Sequence, residues 1–366
     1  MLSKLSIKQK LILIMMIPLT VVILLAAKLA VDSFSTTRNL QSLDNVVILS
    51  TKIGALVHET QKERGMTSGF LGSKGEQFKS ELPSQRNSVD DKLSDFKDFL
   101  KSFDKTDYSA ELVENLDSGV KKLDELSSIR NGVSNLSINA TVAIGYYTEV
   151  NRVLLNVLGS IIKQSNSAQV TRELSSYMSF LLSKERAGLE RAIGTNTFAR
   201  NNFAEGMKAR FYTLVAEQNA YTDAFLKVST KEIEQFYKNT LENEVVNEVE
   251  NMRKIALYSG KDSDFGVDSS VWFKKITEKI NLLKKVEDKI AEELLVTIEN
   301  ELDNAKQNMI VFGFLSALGV ALTMILARTI AFTILIDVDS VKTGVENFFA
   351  FINFEKEDIK LIEVHS

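Results

Sequence analysis

The sequence predicts an all-α protein: two stacked up-and-down four-helix bundles outside a membrane, flanked by two transmembrane helices. Three observations point there. Apolar residues recur at threes and fours through most of the 366 residues, the helical period. Only Pro18 and Pro83 are prolines, so little interrupts those runs. Two long uncharged apolar stretches stand near the two ends of the chain.

The elements follow in order. Residues 1–10 carry Lys4, Lys8 and Lys10 and read as a cytoplasmic N-terminus. Residues 11–31 are the first transmembrane helix, apolar from Leu11 to Ala27 and continued by Leu29, Ala30 and Val31. A cleaved signal peptide competes with that reading. The run is longer than a signal h-region, however, and Lys28 stands where a cleavage site wants small residues. Residues 308–336 are the second span: Met309 to Ala327 is uncharged, and apolar character resumes after Arg328 through Ile336. A buried core helix is the alternative, and the length without a charge argues against it. Glu292, Glu293, Glu299, Glu301 and Asp303 precede this span, whereas Arg328 and Lys342 follow it. Both termini are therefore expected in the cytoplasm, in a two-pass topology.

Between the spans, residues 32–307 form one helical domain. A first helix carries Phe34, Leu43, Val46, Ile53 and Val57 and runs to a break at Gly72-Ser73-Lys74-Gly75. Pro83 opens the next, with Val89, Leu93, Phe96, Leu100 and Phe103. Further runs hold Leu112 to Leu126, Val142 to Ile161, Val170 to Ile193, and Phe203 to Phe225. Glu232 to Tyr258 reads as one helix, broken after Ser259. A last helix begins near Ser270 and runs into the second span. About eight helices result, enough for two four-helix units.

Composition narrows the function. The net charge of -4 gives no field for nucleic acid, and no nucleic-acid partner is expected. Cysteine is absent, and the two histidines, His58 and His365, stand far apart, so neither a metal site nor a catalytic triad assembles. No cofactor is expected, and no phosphate loop, paired catalytic carboxylates or nucleophile elbow is present, so the chain is not read as an enzyme.

One stretch stands out: Glu59-Thr60-Gln61-Lys62-Glu63-Arg64-Gly65-Met66-Thr67-Ser68-Gly69-Phe70-Leu71-Gly72. Each glycine inside a helix costs about 1 kcal/mol against Ala, so Gly65, Gly69 and Gly72 on one face mark a close approach of another backbone or a small ligand to that face. Arg64 has Thr60, Gln61, Thr67 and Ser68 as its neighbours at three and four, hence no carboxylate of its own helix placed to pair with it. Ser183-Lys184-Glu185-Arg186-Ala187-Gly188-Leu189-Glu190-Arg191-Ala192 repeats the theme, with Gly188 as its bare position. Pairing the two Lys-Glu-Arg triplets suggests an internal duplication in which Arg64 matches Arg186, Phe78 matches Phe203 and Arg86 matches Arg210. Arg64, Arg186 and Arg191 are the candidate ligand residues. Guanidinium forks beside small residues suit a small oxyanion, which takes parallel hydrogen bonds and relieves their mutual repulsion. Each has a plainer alternative in an ion pair, Arg186 with Glu190 one turn on above all. Arg86 and Arg210 read as ion-pair residues, and His58 as a packing histidine.

At these residues the sequence resembles the NIT domain, a nitrate- and nitrite-sensing input module of bacterial receptors. Gln61-Lys62-Glu63-Arg64-Gly65 is similar to its first signature and Lys184 to Ala192 to its second. Val271-Trp272-Phe273, with Thr277, Ile280 and Leu283, resembles its closing helix. The resemblance covers about 50 to 290. It implies two four-helix bundles and a nitrate or nitrite ion clamped by arginines of the two signatures, with a periplasmic sensor at 32–307 in the bacterial inner membrane. Residues 337–366 resemble the start of a HAMP linker of methyl-accepting chemotaxis receptors, without its usual proline. Phe348 to Ile352 and Ile359 to Ile362 would supply apolar positions for a parallel homodimer. Cytoplasmic signalling proteins would then be engaged through a C-terminal portion beyond Ser366. The rival from another class is a membrane-anchored helical scaffold with structural ion pairs and no ligand.

Overall fold

The computed structural model describes residues 7–163, 165, 167–258 and 265–353. Lys4, the loop residues 259–264, His365 and the apolar set Ile359 to Ile362 lie outside them. Among the described residues every regular element is helical: α1 (Ile7–Gly72), α2 (Glu81–Ser102), α3 (Ala110–Leu123), α4 (Leu126–Ser134), α5 (Ala140–Ile162), α6 (Ala168–Arg200), α7 (Met207–Val228), α8 (Lys231–Leu241), α9 (Glu244–Tyr258) and α10 (Ser269–Ile352). The all-α class with two four-helix bundles and two long apolar helices holds.

The chain packs as two units. The first holds the apolar segments, Met1–Arg38 and Leu302–Ser366. Within it, α1 and α10 each contain a stretch long and apolar enough to cross a bilayer, with no residue of that stretch buried. Ile17, Leu24, Phe314 and Ile325 are among the large apolar side chains left exposed there.

The second unit, Asn39–Glu301, carries the helical core. Its two halves repeat one order of elements: a long helix (α1, α6), a second (α2, α7), two short ones (α3 and α4, α8 and α9) and a closing helix (α5, α10). Side-chain oxygens cap several starts, as the orphan N–H groups of a helix N-terminus require. Ser109, Asn139, Ser167 and Thr230 accept from the N–H groups of Leu112, Val142, Val170 and Ile233. Asn201 ends α6 in the left-handed conformation at φ 51°. Past α1, Lys74 and Gly75 take positive φ while the Gly75 N–H donates to the Phe70 carbonyl at 2.8 Å.

The structure splits two stretches that read as single helices. The run from Leu112 to Leu126 breaks at 124–125, where Tyr146 of α5 donates to the Lys122 carbonyl at 2.9 Å. The run from Glu232 to Tyr258 breaks at 242–243, where the Asn243 side chain accepts from the Val245 N–H at 3.0 Å. Asn and Asp offer the backbone such local alternatives to helix continuation. Aromatic packing closes the second half: Trp272 of α10 is fully buried against Gly194 of α6 and donates its indole N–H to the Arg191 carbonyl at 3.1 Å.

Candidate functional site

The middle of the bundle core is polar. Thr60, Gln61, Glu63, Arg64, Lys184, Glu190 and Arg191 all have 0% exposure. Buried charges survive only when partnered, so the pairing is the informative part. Glu63 takes a two-pronged contact from Arg130 of α4, both bonds 2.8 Å, and accepts from the Tyr147 hydroxyl at 2.7 Å. Glu190 takes the same kind of fork from Arg253 of α9, both bonds 2.6 Å, and a bond from Gln218 at 2.7 Å. Lys184 bonds Glu287 of α10.

These contacts set the register of the repeat. Glu63 and Arg130 lie 67 residues apart, Glu190 and Arg253 63. Each glutamate sits on the long helix of its half and is immediately followed by a buried arginine, Arg64 or Arg191. The duplication therefore matches Arg64 with Arg191, correcting the match of Arg64 with Arg186 that the Lys-Glu-Arg triplets suggested.

The structure brings Arg64 and Arg191 together around Gln61. Arg64 Nη1 donates to Glu185 Oε1 at 2.5 Å and to the Thr148 hydroxyl at 3.2 Å. Gln61 Nε2 donates to the other oxygen of Glu185 at 2.6 Å, while the Gln61 carbonyl accepts from Arg191 Nη2 at 2.7 Å. Arg191 Nη1 donates to the Thr277 hydroxyl at 3.1 Å, and its guanidinium lies 5.2 Å from the centre of the Phe273 ring. Among the described residues no carboxylate forms an ion pair with it, and Glu185 and Glu59 favour its charge only from a distance. Burial, and next the charge of Arg64, pull its pKa down to about 9. Three guanidinium nitrogens, Arg64 Nε, Arg64 Nη2 and Arg191 Nε, are buried without a partner, as are the Thr67 hydroxyl and one acceptor, Gln61 Oε1. A buried donor without an acceptor costs about 1–3 kcal/mol, so the guanidinium nitrogens here outnumber the acceptors that reach them.

The glycines have separate roles. A Cβ on Gly188 would stand 2.9 Å from Arg64 Nη2, and one on Gly65 would stand 2.9 Å from Arg191 Nε. Each long helix thus leaves a gap for the other's arginine. What approaches is a guanidinium, not a backbone. A Cβ on Gly69 would overlap the Phe78 ring, which returns from the following loop. Gly72 is no close-packing position: only Asn196 Nδ2 comes near, at 3.7 Å, and Gly72 ends α1.

Arg186 is not part of the pair. It faces α7, donating to Glu217 at 3.0 Å and lying over the Tyr221 ring. Glu190, its expected partner one turn on, is held by Arg253 instead. Arg186, Arg152, Arg210 and Tyr221 border a groove of about 410 Å³ between α5, α6 and α7, and both partners of Arg64, Thr148 and Glu185, line it too. Arg86 and Arg210 are ion-pair residues, 3.6 Å from Glu63 and 3.3 Å from Glu217. His58 is buried and held neutral by burial and the nearby Lys184 charge.

Sequence reasoning missed Glu185, Thr148 and Gln61 as site residues. Glu185 was visible in the second Lys-Glu-Arg triplet, and its role comes from a helix 121 residues away. Among the described residues no group of three His, Cys, Asp or Glu side chains could hold a metal ion.

The sequence matches the family described as nitrate and nitrite sensing (NIT) over residues 55–295. It is 27% identical over 270 residues to the nitrate regulatory protein of Klebsiella oxytoca, spanning 72% of this chain and 67% of that one. Its fold is similar to the structure of the NasR transcription antiterminator, with a TM-score of 0.69 at 24% sequence identity, over 88% of this chain and 90% of that one. At that identity the second likeness is one of fold alone. With the family match spanning most of the chain, residues 55–295 of 366, the chain belongs to the nitrate- and nitrite-sensing family.

Proposed function

We propose that this protein is a two-pass receptor of the bacterial inner membrane that binds nitrate or nitrite between Arg64 and Arg191. The observation that carries the reading is the set of three buried, unpartnered guanidinium N–H groups around one uncompensated positive charge. A monovalent oxyanion supplies both the missing acceptors and the missing charge. Residues 11–31 and 308–336 are the spans, 32–307 the periplasmic sensor, and 1–10 and 337–366 cytoplasmic. The exposed apolar faces of α1 and α10 support a lipid environment for them.

In this reading the anion draws α1 and α6 together at Gly65 and Gly188. Because α1 and α10 are each continuous from the sensor into an apolar segment, a shift of either is carried along it as a piston or rotation. Such coupling is worth about 1–3 kcal/mol. The output is a cytoplasmic signalling module of a homodimer, with chemotaxis the reading the tail residues favour. Arg64–Glu185 favours the rival reading, a scaffold held by ion pairs. Arg191, which has only neutral acceptors, does not fit it.

Titration calorimetry of the purified chain with sodium nitrate, in detergent or nanodiscs, tests the proposal. Saturable heat is expected at millimolar nitrate or below, lost in Arg191→Gln. Absence of heat in the natural sequence, or full binding in Arg191→Gln, refutes it.

A further inference from the structure

Glu63 is matched by Arg130, Glu190 by Arg253, and Glu287 by Lys184 and Lys284. His58 is neutral. Glu59 is held by Lys62 at 3.1 Å on the partly exposed face of α1. Around Gln61 itself stand two guanidinium groups, and the carboxylate ion-paired there is Glu185, whose side chain is 5% exposed. The site therefore carries one positive charge beyond its own compensation.

We infer that Glu185 sets the charge of the ligand: it neutralises one arginine permanently, so the pocket accepts one negative charge and rejects two. This rests on the anion lying between Arg64 and Arg191. A monovalent oxyanion leaves the interior neutral. A dianion such as sulfate or hydrogen phosphate brings in a negative charge with no partner, next to a carboxylate that Arg64 and Gln61 hold at 2.5 and 2.6 Å. Burying an unpaired ion is unfavourable enough to exclude it. Glu185 also lines the groove between α5, α6 and α7 and so stands between that groove and the Arg64 guanidinium. It is a specificity-determining residue and need not touch the ligand.

The test compares nitrate with sulfate at matched ionic strength, by calorimetry on the full chain and on Glu185→Gln and Glu185→Asp. The natural sequence is expected to bind nitrate at least a hundredfold more tightly than sulfate. Glu185→Gln should narrow that gap tenfold or more, and Glu185→Asp, which keeps the charge, should preserve it. A gap unchanged in Glu185→Gln, or narrowed equally in Glu185→Asp, overturns the inference while leaving nitrate binding intact. If Glu185→Gln does not fold, the natural sequence still decides: sulfate binding as tight as nitrate overturns it. No nitrate binding at all in the natural sequence removes the proposed function and this inference with it.

Discussion

Gly188→Ala separates binding from folding. The added Cβ stands 2.9 Å from Arg64 Nη2 and 3.5 Å from Gln61 Cδ, so the guanidinium end must yield by a few tenths of an ångström. Ala in place of a helix-interior Gly contributes about 1 kcal/mol in favour of the helix. Strain in the Arg64–Glu185 bond, worth about 1.5–3 kcal/mol whole, offsets part or all of that gain. The net change in stability is expected within about 1 kcal/mol of zero. Binding has no such compensation. Turning Nη2 away removes one charge-assisted hydrogen bond to the anion, about 1.5–3 kcal/mol, which at 1.4 kcal/mol per decade weakens nitrate roughly 10- to 150-fold. Guanidinium unfolding and nitrate calorimetry on the same preparation read the two quantities. A nitrate Kd within twofold of the natural sequence refutes the placement of the anion beside Arg64. Gly65→Ala should lose both properties, since its Cβ meets the Phe273 ring at 3.0 Å as well as Arg191 Nε.

Arg186→Ala should change nitrate affinity by less than about threefold and stability by less than about 1 kcal/mol, because its partner Glu217 is a partly exposed residue. A tenfold loss by calorimetry would return Arg186 to the site. Glu63→Gln removes the buried partner of Arg130 and should cost about 3 kcal/mol, read as a lower urea midpoint; an unchanged midpoint would deny the ion pair. Lys279 is buried, and burial followed by the Arg253 charge pull its pKa down to about 8 from 10.5. The fold thus disfavours its charged form: the penalty is full below pH 8, shrinks as pH rises, and is gone above 10.5. Lys279→Met should therefore be more stable than the natural sequence at pH 7, by an amount on the order of 3 kcal/mol, and the difference should close by pH 10.5. A pH-independent difference in unfolding midpoint would contradict this.

Helical period made the class and most elements legible, because apolar positions at threes and fours carry over directly to buried faces such as Val46, Ile53 and Val57. The breaks at 124–125 and 242–243 were not legible, since the period runs through them and a hydrogen bond or cap from elsewhere decides. In the site, Arg64 and the gaps at Gly65 and Gly188 could be read from a lack of local partners. Choosing between Arg186 and Arg191 could not. Five residues on a helix rotate by about 140°, so only one of them faces α1, and the facing one depends on how α6 docks. The partner of Arg64 was hidden for the same reason. No carboxylate stands three or four positions from it, yet one arrives from a helix 121 positions along the chain.

The two copies of the Glu-Arg step differ in what lies beyond them. Glu63 and Arg64 ride on α1, which runs on past the helical core to residue 7, while Glu190 and Arg191 ride on α6, whose two ends both stay within it. Arg191 is further tied to α10 by Thr277 and by the Trp272 indole on its carbonyl. A repeated Glu-Arg step is thus mounted on unequal supports, one helix confined to the core and two that continue beyond it. In the proposed function, an anion closing the pair would pull on α1 and α10 on one side and on α6 on the other.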